Sequence, residues 1–209
     1  MHMADSMGFK INTFTHILEG YKLADKMAAH GAGGSTFSDW WAYKYEVKEA
    51  IPHNAKLMTD QGVVVAINSD DAEMGRRLNQ EAAKGVKYGG MSEEEAWKMV
   101  TLNPAKLLHL DYRMGSLKVG KDADLVLWTD NPLSITAKVD YTIIDGVVMF
   151  DRSEKDSLYQ RNQAEKARII AKMLDANKSG DKTAFQKKKK GHYHCNTMGE
   201  DASLEENHH

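Results

Sequence analysis

Val63-Val-Val-Ala-Ile-Asn-Ser-Asp-Asp71 is the stretch that decides the fold class of this chain. Its apolar part is a continuous run, which is typical of a strand buried on both faces of a parallel sheet. The run ends on acidic residues, and parallel α/β proteins bind their ligands at the carboxyl ends of the strands. The stretch therefore predicts a buried strand with a functional carboxylate, Asp70, just beyond its end.

The sequence around this strand alternates between strand and helix. Two further short strands are expected upstream, at residues 11–15 and 33–37. Helices are expected between and after the strands, at residues 18–30, 41–61 (where Pro52 can begin a new helix), 74–88, 92–99 and 103–110. Strand and helix in this alternation predict right-handed βαβ units and a parallel sheet.

From Gly115 the pattern changes to period two with glycine punctuation. Gly115–Trp128, which reads GSLKVGKDADLVLW, predicts a glycine-bounded hairpin. Asp145-Gly146 between two apolar runs predicts a second hairpin with a two-residue turn. A second, all-β unit is therefore expected, followed by a charged amphipathic helix and a polar tail that we expect to be mostly disordered.

Composition excludes several classes of function. The 28 Lys and Arg residues nearly balance the 30 Asp and Glu residues, which gives no electrostatic argument for binding nucleic acid. No apolar run approaches the roughly 18 residues that cross a bilayer. The N-terminal residues lack the features of a signal peptide, and the single Cys195 excludes an intrachain disulfide. The compartment stays open between cytoplasmic and exported.

Two residues are candidates for chemistry, Asp70 and His16. His16 follows the 11–15 strand as Asp70 follows the 63–67 strand, with one expected strand between them, so both belong to the catalytic edge of one sheet. Either side chain at such an edge can bind a divalent metal or transfer a proton. The alternatives are a surface histidine and an aspartate that caps the next helix; Asp70 and Asp71 could divide the two roles.

Three further residues are candidates for binding substrate. Trp41 and Tyr43 follow the 33–37 strand and could form the wall of a pocket. Arg76 follows Asp70 and could bind a substrate carboxylate. The alternatives are aromatic packing against the helices for the first two and a solvated helix face for Arg76.

These features resemble the amidohydrolase superfamily, in particular its imidazolonepropionase-like branch with related dipeptidases and cyclic-amide hydrolases. Three elements within residues 1–150 carry the resemblance: Thr15-His16 followed by Leu18-Glu19, Asn68-Ser69-Asp70 after the apolar strand, and Asn103-Pro104-Ala105 leading into Gly115–Trp128. The last element is the most specific of the three.

The resemblance implies an α/β fold that is the C-terminal part of a (β/α)8 barrel with a small composite β-sandwich. Residues 1–112 would hold barrel strands 6–8 and their helices, 113–151 the C-terminal strands of the sandwich, 152–177 a terminal helix and 178–209 the polar tail. Asp70 then matches the aspartate after strand 8, which approaches or ligates the metal, deprotonates water and protonates the leaving nitrogen. His16 matches the histidine after strand 6, which ligates the metal or polarises the substrate, and the implied metal is zinc.

The other metal ligands of the superfamily, on strands 1, 4 and 5, are absent, and two candidates do not complete a zinc site that needs three. We therefore expect the C-terminal portion of a metal-dependent hydrolase of carbon–nitrogen bonds in a small amide or dipeptide, inactive as an isolated chain. The alternative is a non-catalytic half-barrel that forms a homo-oligomer or complements a separate N-terminal half. Its edges at 11–15 and 63–67 would lack their barrel neighbours.

Overall fold

The structure is a computed structural model that describes residues 1–42 and 44–182. Contacts divide the chain into two units, Met1–Phe150 and Asp151–His209.

A three-stranded parallel sheet forms the centre of the first unit. It comprises β1 (Thr13–Thr15), β2 (Gly33–Thr36) and β3 (Val65–Ile67), in the order β1-β2-β3. The strands are shorter than expected, but all three occur where the sequence predicts them, and β3 is fully buried. Their parallel direction brings the residues after β1, β2 and β3 to one edge of the sheet.

Seven helices belong to the described part of this unit. They are α1 (His2–Ser6), α2 (Ala24–His30), α3 (Asn54–Asp60), α4 (Ala72–Gly75), α5 (Leu78–Gly89), α6 (Glu93–Lys98) and α7 (Leu102–Leu107), with 3-10 turns at Gly20–Lys22 and Tyr45–Val47. Ser92 caps α6 in a capping box with Glu95, within the helix predicted over 92–99.

Three of the predicted helices are interrupted. The 18–30 helix is divided at Leu23, and the 41–61 helix is reduced to a 3-10 turn and α3, which begins after Pro52. The buried Asn54 is the first residue of α3, and its side chain accepts from Tyr21 N–H and donates to Ile17 O and Thr36 Oγ1. The 74–88 helix divides into α4 and α5 at Arg76-Arg77.

The core lies between the sheet and the helices. Its hydrophobic cluster includes the buried side chains of Met27, Met58, Val65, Ile67 and Met99. Gly34 of β2 permits this packing, because a Cβ there would lie only 3.1 Å from Ile17 Cγ2 and would also contact Met27 Cε at 3.4 Å and Met58 Sδ at 3.5 Å. Two long, adaptable methionines therefore cover the middle strand.

In the described sheet no further strand pairs with the outer edge of β3, but two of its backbone groups have hydrogen-bond partners. Ile67 N–H donates to Met99 O at 3.0 Å, and Asn103 Nδ2 donates to Val65 O at 2.8 Å. Asn103, in the first turn of α7, thus satisfies a carbonyl on the edge of the strand that precedes Asp70. Such backbone groups would otherwise be available for pairing with another strand.

A second sheet contains β4 (Leu125–Trp128), β5 (Val139–Ile144) and β6 (Val147–Asp151), with β4 antiparallel to β5. The Asp145-Gly146 hairpin is confirmed: φ is 50° at Asp145 and 77° at Gly146, as a two-residue turn requires. The hairpin predicted over Gly115–Trp128 is wrong, since only its last four residues form a strand. Lys121 explains the difference, because its ammonium donates to Met114 O and Ser116 Oγ and holds the segment in turns.

The second unit is described for residues 151–182. Asp151 caps a 3-10 turn, Arg152–Glu154, which leads into α8 (Lys155–Lys178), close to the helix expected over 152–177. Among the described residues, no helix combines the length and apolar character that crossing a bilayer requires. Most of the tail that was predicted to be disordered, from residue 183 onward, lies outside the described residues.

Candidate active site

His16 and Asp70 meet at the carboxyl edge of the parallel sheet. His16 follows β1 and Asp70 lies beyond β3, yet His16 Nε2 is 3.2 Å from Asp70 Oδ1, and the two side chains reach each other past the end of β2. The His16 side chain is 36% exposed and that of Asp70 is 19% exposed. The two residues predicted from the sequence thus form one pair that solvent reaches.

The backbone at His16 has an unusual conformation. Its φ is 58°, in the left-handed region that few non-glycine residues occupy, at a cost of about 1–3 kcal/mol. Neighbouring hydrogen bonds hold it there: Ile17 N–H donates to Ser35 O at 3.0 Å, and Asn54 Nδ2 donates to Ile17 O at 2.8 Å. The direction of the His16 side chain is therefore set by β2 and α3.

The two aspartates after β3 have different environments. Asp71 Oδ1 accepts from Glu73 N–H at 2.8 Å and from Met74 N–H at 3.1 Å, so Asp71 is the N-cap of α4. Asp70 instead contacts His16. The sequence left open which aspartate caps the helix, and the structure assigns the cap to Asp71.

Phe37 is the site neighbour that sequence reasoning did not select. Its ring stacks on His16, with centroids 5.4 Å apart and planes at 30°, and on Trp40, at 4.5 Å and 9°. Trp40 Nε1 lies 3.0 Å from Met74 Sδ of α4. The signal in the sequence was the position of Phe37 directly after β2, at the same edge as His16 and Asp70.

The predicted substrate-binding residues have other contacts. Trp41 lies edge-on to Tyr88 of α5, with centroids 6.0 Å apart. Arg76 forms an ion pair with Glu73 and its side chain is 71% exposed. Neither contact joins these residues to His16 or Asp70, and Tyr43 lies outside the described residues. Their role in binding substrate stays a prediction.

A buried acidic residue anchors the loop after β2. The Glu81 side chain on α5 is 2% exposed and accepts hydrogen bonds from Ser38 Oγ and from Lys84 Nζ, the latter at 2.8 Å. Lys84 also pairs with Asp39 at 2.6 Å. Burial acts to lower the pKa of Lys84, but the hydrogen bonds to Asp39 and Glu81 outweigh it and raise that pKa. No sequence signal distinguishes Glu81 from a solvated helix residue.

The described residues do not provide a complete zinc centre. A catalytic zinc site uses three protein ligands, whereas no group of three His, Cys, Asp or Glu side chains within 1–42 and 44–182 is placed to hold a metal ion. His16 and Asp70 would supply two donors. In the structure these two donor atoms contact each other.

A separate cavity of about 620 Å³ lies beside α5. Its lining includes Arg77, Lys84 and Tyr88 of the α5 region and Leu133 and Ile135 of the later loop. Neither His16 nor Asp70 lines it. The candidate site is thus defined by the side chains at the sheet edge and not by this cavity.

A parallel sheet that presents a histidine and an aspartate at its carboxyl edge is the arrangement found in α/β enzymes. The sequence model of the amidohydrolase family matches residues 8–149, and the chain therefore belongs to the amidohydrolase family. The resemblance inferred from the sequence motifs is confirmed.

Individual relatives agree with this assignment. The chain is 31% identical to the amidohydrolase tasK of Hapsidospora irregularis over 165 residues, which are 72% of this chain and 17% of tasK. It is 28% identical to the imidazolonepropionase of Thermoplasma volcanium over 159 residues, 72% of this chain and 39% of that protein. The crystal structure of an amidohydrolase from Thermotoga maritima has a TM-score of 0.66 and 31% identity, covering 72% of this chain and 39% of that chain.

The chain spans less than half the length of these relatives. The α/β fold is shown, and its structural neighbours are amidohydrolase barrels that it covers in part. The numbering of β1–β3 as barrel strands 6–8 stays a prediction.

Proposed function

We propose that this chain forms part of the active site of a hydrolase that cleaves a carbon–nitrogen bond in a small amide or dipeptide. The observation that carries the proposal is the His16–Asp70 pair, 3.2 Å apart at the carboxyl edge of the sheet, in a member of the amidohydrolase family. In this proposal β1, β2 and β3 are strands 6, 7 and 8 of a (β/α)8 barrel, whose active sites lie at this edge.

Asp70 acts as the general base and then as the general acid. Its ionised carboxylate accepts a proton from the water that attacks the amide carbonyl, and later delivers that proton to the leaving nitrogen. His16 orients the carboxylate through the Nε2 contact and, being partly exposed, is accessible to the carbonyl oxygen of a substrate. General acid–base catalysis of this kind contributes about 10²–10⁴-fold to the rate.

Zinc is the metal that the family resemblance implies, and it would lower the pKa of a bound water and polarise the carbonyl. His16 and Asp70 are the ligands we propose from this chain. They do not fit a complete centre by themselves, since such a site needs a third protein donor. The proton transfers proposed above therefore depend on the side chains alone.

We further propose that the remaining barrel units come from a longer protein or from a separate chain, and that this chain alone is inactive. A second candidate function is a non-catalytic half-barrel that associates with itself. The outer edge of β1 favours it, because in the described part of the sheet β1 pairs only with β2. Size-exclusion chromatography with light scattering distinguishes the two candidate functions, because a self-associating half-barrel should form a discrete homo-oligomer.

The decisive experiment uses a chimera in which residues 8–149 of this chain replace the matching segment of the Thermotoga maritima amidohydrolase. Hydrolysis of hydantoin, a cyclic amide, and of alanyl-proline, a dipeptide, is followed by proton NMR. We expect cleavage of at least one probe, and a loss of about 10²–10⁴-fold in the Asp70→Asn chimera.

Asp71→Asn is the matched control, because asparagine also caps a helix and the change removes the neighbouring charge only. It should leave the rate unchanged. An Asp70→Asn chimera as active as the parent contradicts the role of Asp70. A folded chimera that cleaves neither probe contradicts the proposed substrate class.

A further inference from the structure

The imidazole of His16 belongs to a stack with two other aromatic rings. Phe37 stacks on His16 and on Trp40, so three rings form a continuous stack along the carboxyl edge of the sheet. Phe37 is buried, whereas His16 is only partly buried. A flat, buried ring beneath an imidazole restricts the tilt of that imidazole.

Hydrogen bonds and ion pairs anchor the loop that carries Phe37 to α5. Ser38, next to Phe37, donates to the buried carboxylate of Glu81 on α5. Lys84 of the same helix joins Glu81 to Asp39. Polar groups with so little access to solvent are costly to separate from their partners, so the loop is tied to α5.

The far end of the stack reaches the segment that carries the aspartates. Trp40 Nε1 contacts Met74 Sδ at 3.0 Å, and Met74 lies in α4, whose N-cap is Asp71. Asp70 is the residue before that cap. One set of contacts therefore joins the ring of His16 at one end to the turn that presents Asp70 at the other.

We propose that Phe37 is a positioning residue: its ring, supported by Trp40, fixes the plane of the His16 imidazole so that Nε2 faces the Asp70 carboxylate. This inference rests on the proposed function of the His16–Asp70 pair. It predicts that an aromatic ring is needed at position 37, whereas a role in core packing alone would be met by another apolar side chain of similar size.

The first test is made on the full chain with histidine labelled at Cε1, at one fixed pH. The His16→Gln variant identifies the His16 resonance in the carbon–proton spectrum. Because the face of Phe37 shields the imidazole, Phe37→Leu should move that resonance downfield, whereas Phe37→Tyr should keep it in place. Phe9→Leu removes an exposed ring outside the stack and should have no effect.

The second test measures steady-state kinetics of the same variants in the chimera. A displaced catalytic group costs up to about 10²-fold in rate. Phe37→Leu should therefore lower kcat by about tenfold to a hundredfold with little change in KM, and Phe37→Tyr should restore it. Far-UV circular dichroism checks the fold of each variant; if Phe37→Leu unfolds, Trp40→Leu should move the His16 resonance and lower kcat in the same directions.

An unchanged His16 resonance in folded Phe37→Leu, or an equal loss of kcat in Phe37→Tyr, overturns the positioning role. Failure of the proposed function gives a different result. In that case Asp70→Asn keeps its activity in the chimera, while the His16 resonance still responds to loss of the Phe37 ring.

Discussion

His16 Nε2 lies 3.2 Å from Asp70 Oδ1, although β2 and its flanking helices are formed between these residues along the chain. The contact exists because parallel strands bring their carboxyl ends to one edge. This contact distinguishes Asp70 from Asp71, whose carboxylate instead accepts hydrogen bonds from backbone N–H groups of α4.

Asp71→Ala should therefore destabilise the protein more than Asp70→Ala. Loss of an N-cap costs about 0.5–2 kcal/mol, because two backbone N–H groups lose their acceptor. Loss of the partly exposed contact to His16 should cost less than about 1 kcal/mol. Urea unfolding of the two variants measures the difference, and equal losses would contradict the division of roles.

Gly115→Ala should be more destabilising than Gly120→Ala. Both glycines have a positive φ, 84° and 89°, so each alanine incurs about 1–2 kcal/mol of backbone strain. Only at Gly115 would the new Cβ also collide, 2.7 Å from Ala105 Cβ and 3.0 Å from Thr101 O. A Cβ added at Gly120 would meet no heavy atom within 4 Å, so Gly120 is the matched control.

We expect a total loss of about 2–5 kcal/mol for Gly115→Ala from strain and overpacking together. Thermal unfolding of both variants provides the comparison. If Gly120→Ala were equally destabilising, the turn conformation, and not the contact with α7, would explain why glycine occupies position 115.

Met58→Ala should remove a main support of β2. Met58 is fully buried in the core cluster, and truncation of such a methionine costs about 2–5 kcal/mol through lost burial and a residual cavity. Met7→Ala is the control, because Met7 is exposed and its truncation should change the free energy of unfolding by less than about 0.5 kcal/mol. Urea titrations that gave both variants the same midpoint would place Met58 outside the stabilising core.

Asp5 should make the stability of the first unit depend on acid pH. The hydrogen bond from Lys10, followed by that from His30, holds the pKa of the Asp5 carboxyl below its usual 3.8. A carboxyl whose folded pKa is lowered contributes stability that is fully present above 3.8 and is lost as pH falls through the folded value.

The free energy of unfolding of the parent protein and of Asp5→Asn, measured from neutral pH downward, tests this. The difference between them should be constant at neutral pH and shrink below pH 3.8. Lys10→Met removes the first partner of Asp5 and should reduce the same acid-dependent difference. A difference that stayed constant down to the lowest pH would show that Asp5 does not couple to folding.

Much of the fold could be predicted because its signals are local. The apolar run before Asn68 predicts β3, the capping pattern at Ser92 predicts α6, and Asp145-Gly146 predicts the β5–β6 turn. Each signal depends on backbone preferences of a few adjacent residues. The motifs around His16, Asp70 and Asn103 were likewise sufficient to recognise the family.

The errors occur in two segments where side-chain hydrogen bonds accompany a conformation that the local pattern does not predict. The helix expected around Pro52 begins only at Asn54, whose side chain bonds to Tyr21 and Ile17, and the hairpin expected after Gly115 is replaced by turns around Lys121. Neither Asn54 nor Lys121 differs in sequence from an ordinary polar residue. The bonding partners of Asn54 are distant in the chain, whereas those of Lys121 lie in the preceding turns.

The sequence by itself determined the class of this protein, the strands of its parallel sheet and the two residues at the candidate site, since apolar patterning and motif spacing are properties of the chain. Only the tertiary structure decided that Asp71 caps α4 while Asp70 faces His16, and that Phe37 lies beneath the imidazole. These relationships require the ends of β1, β2 and β3 to be adjacent in space. That adjacency arises from strand pairing and core packing.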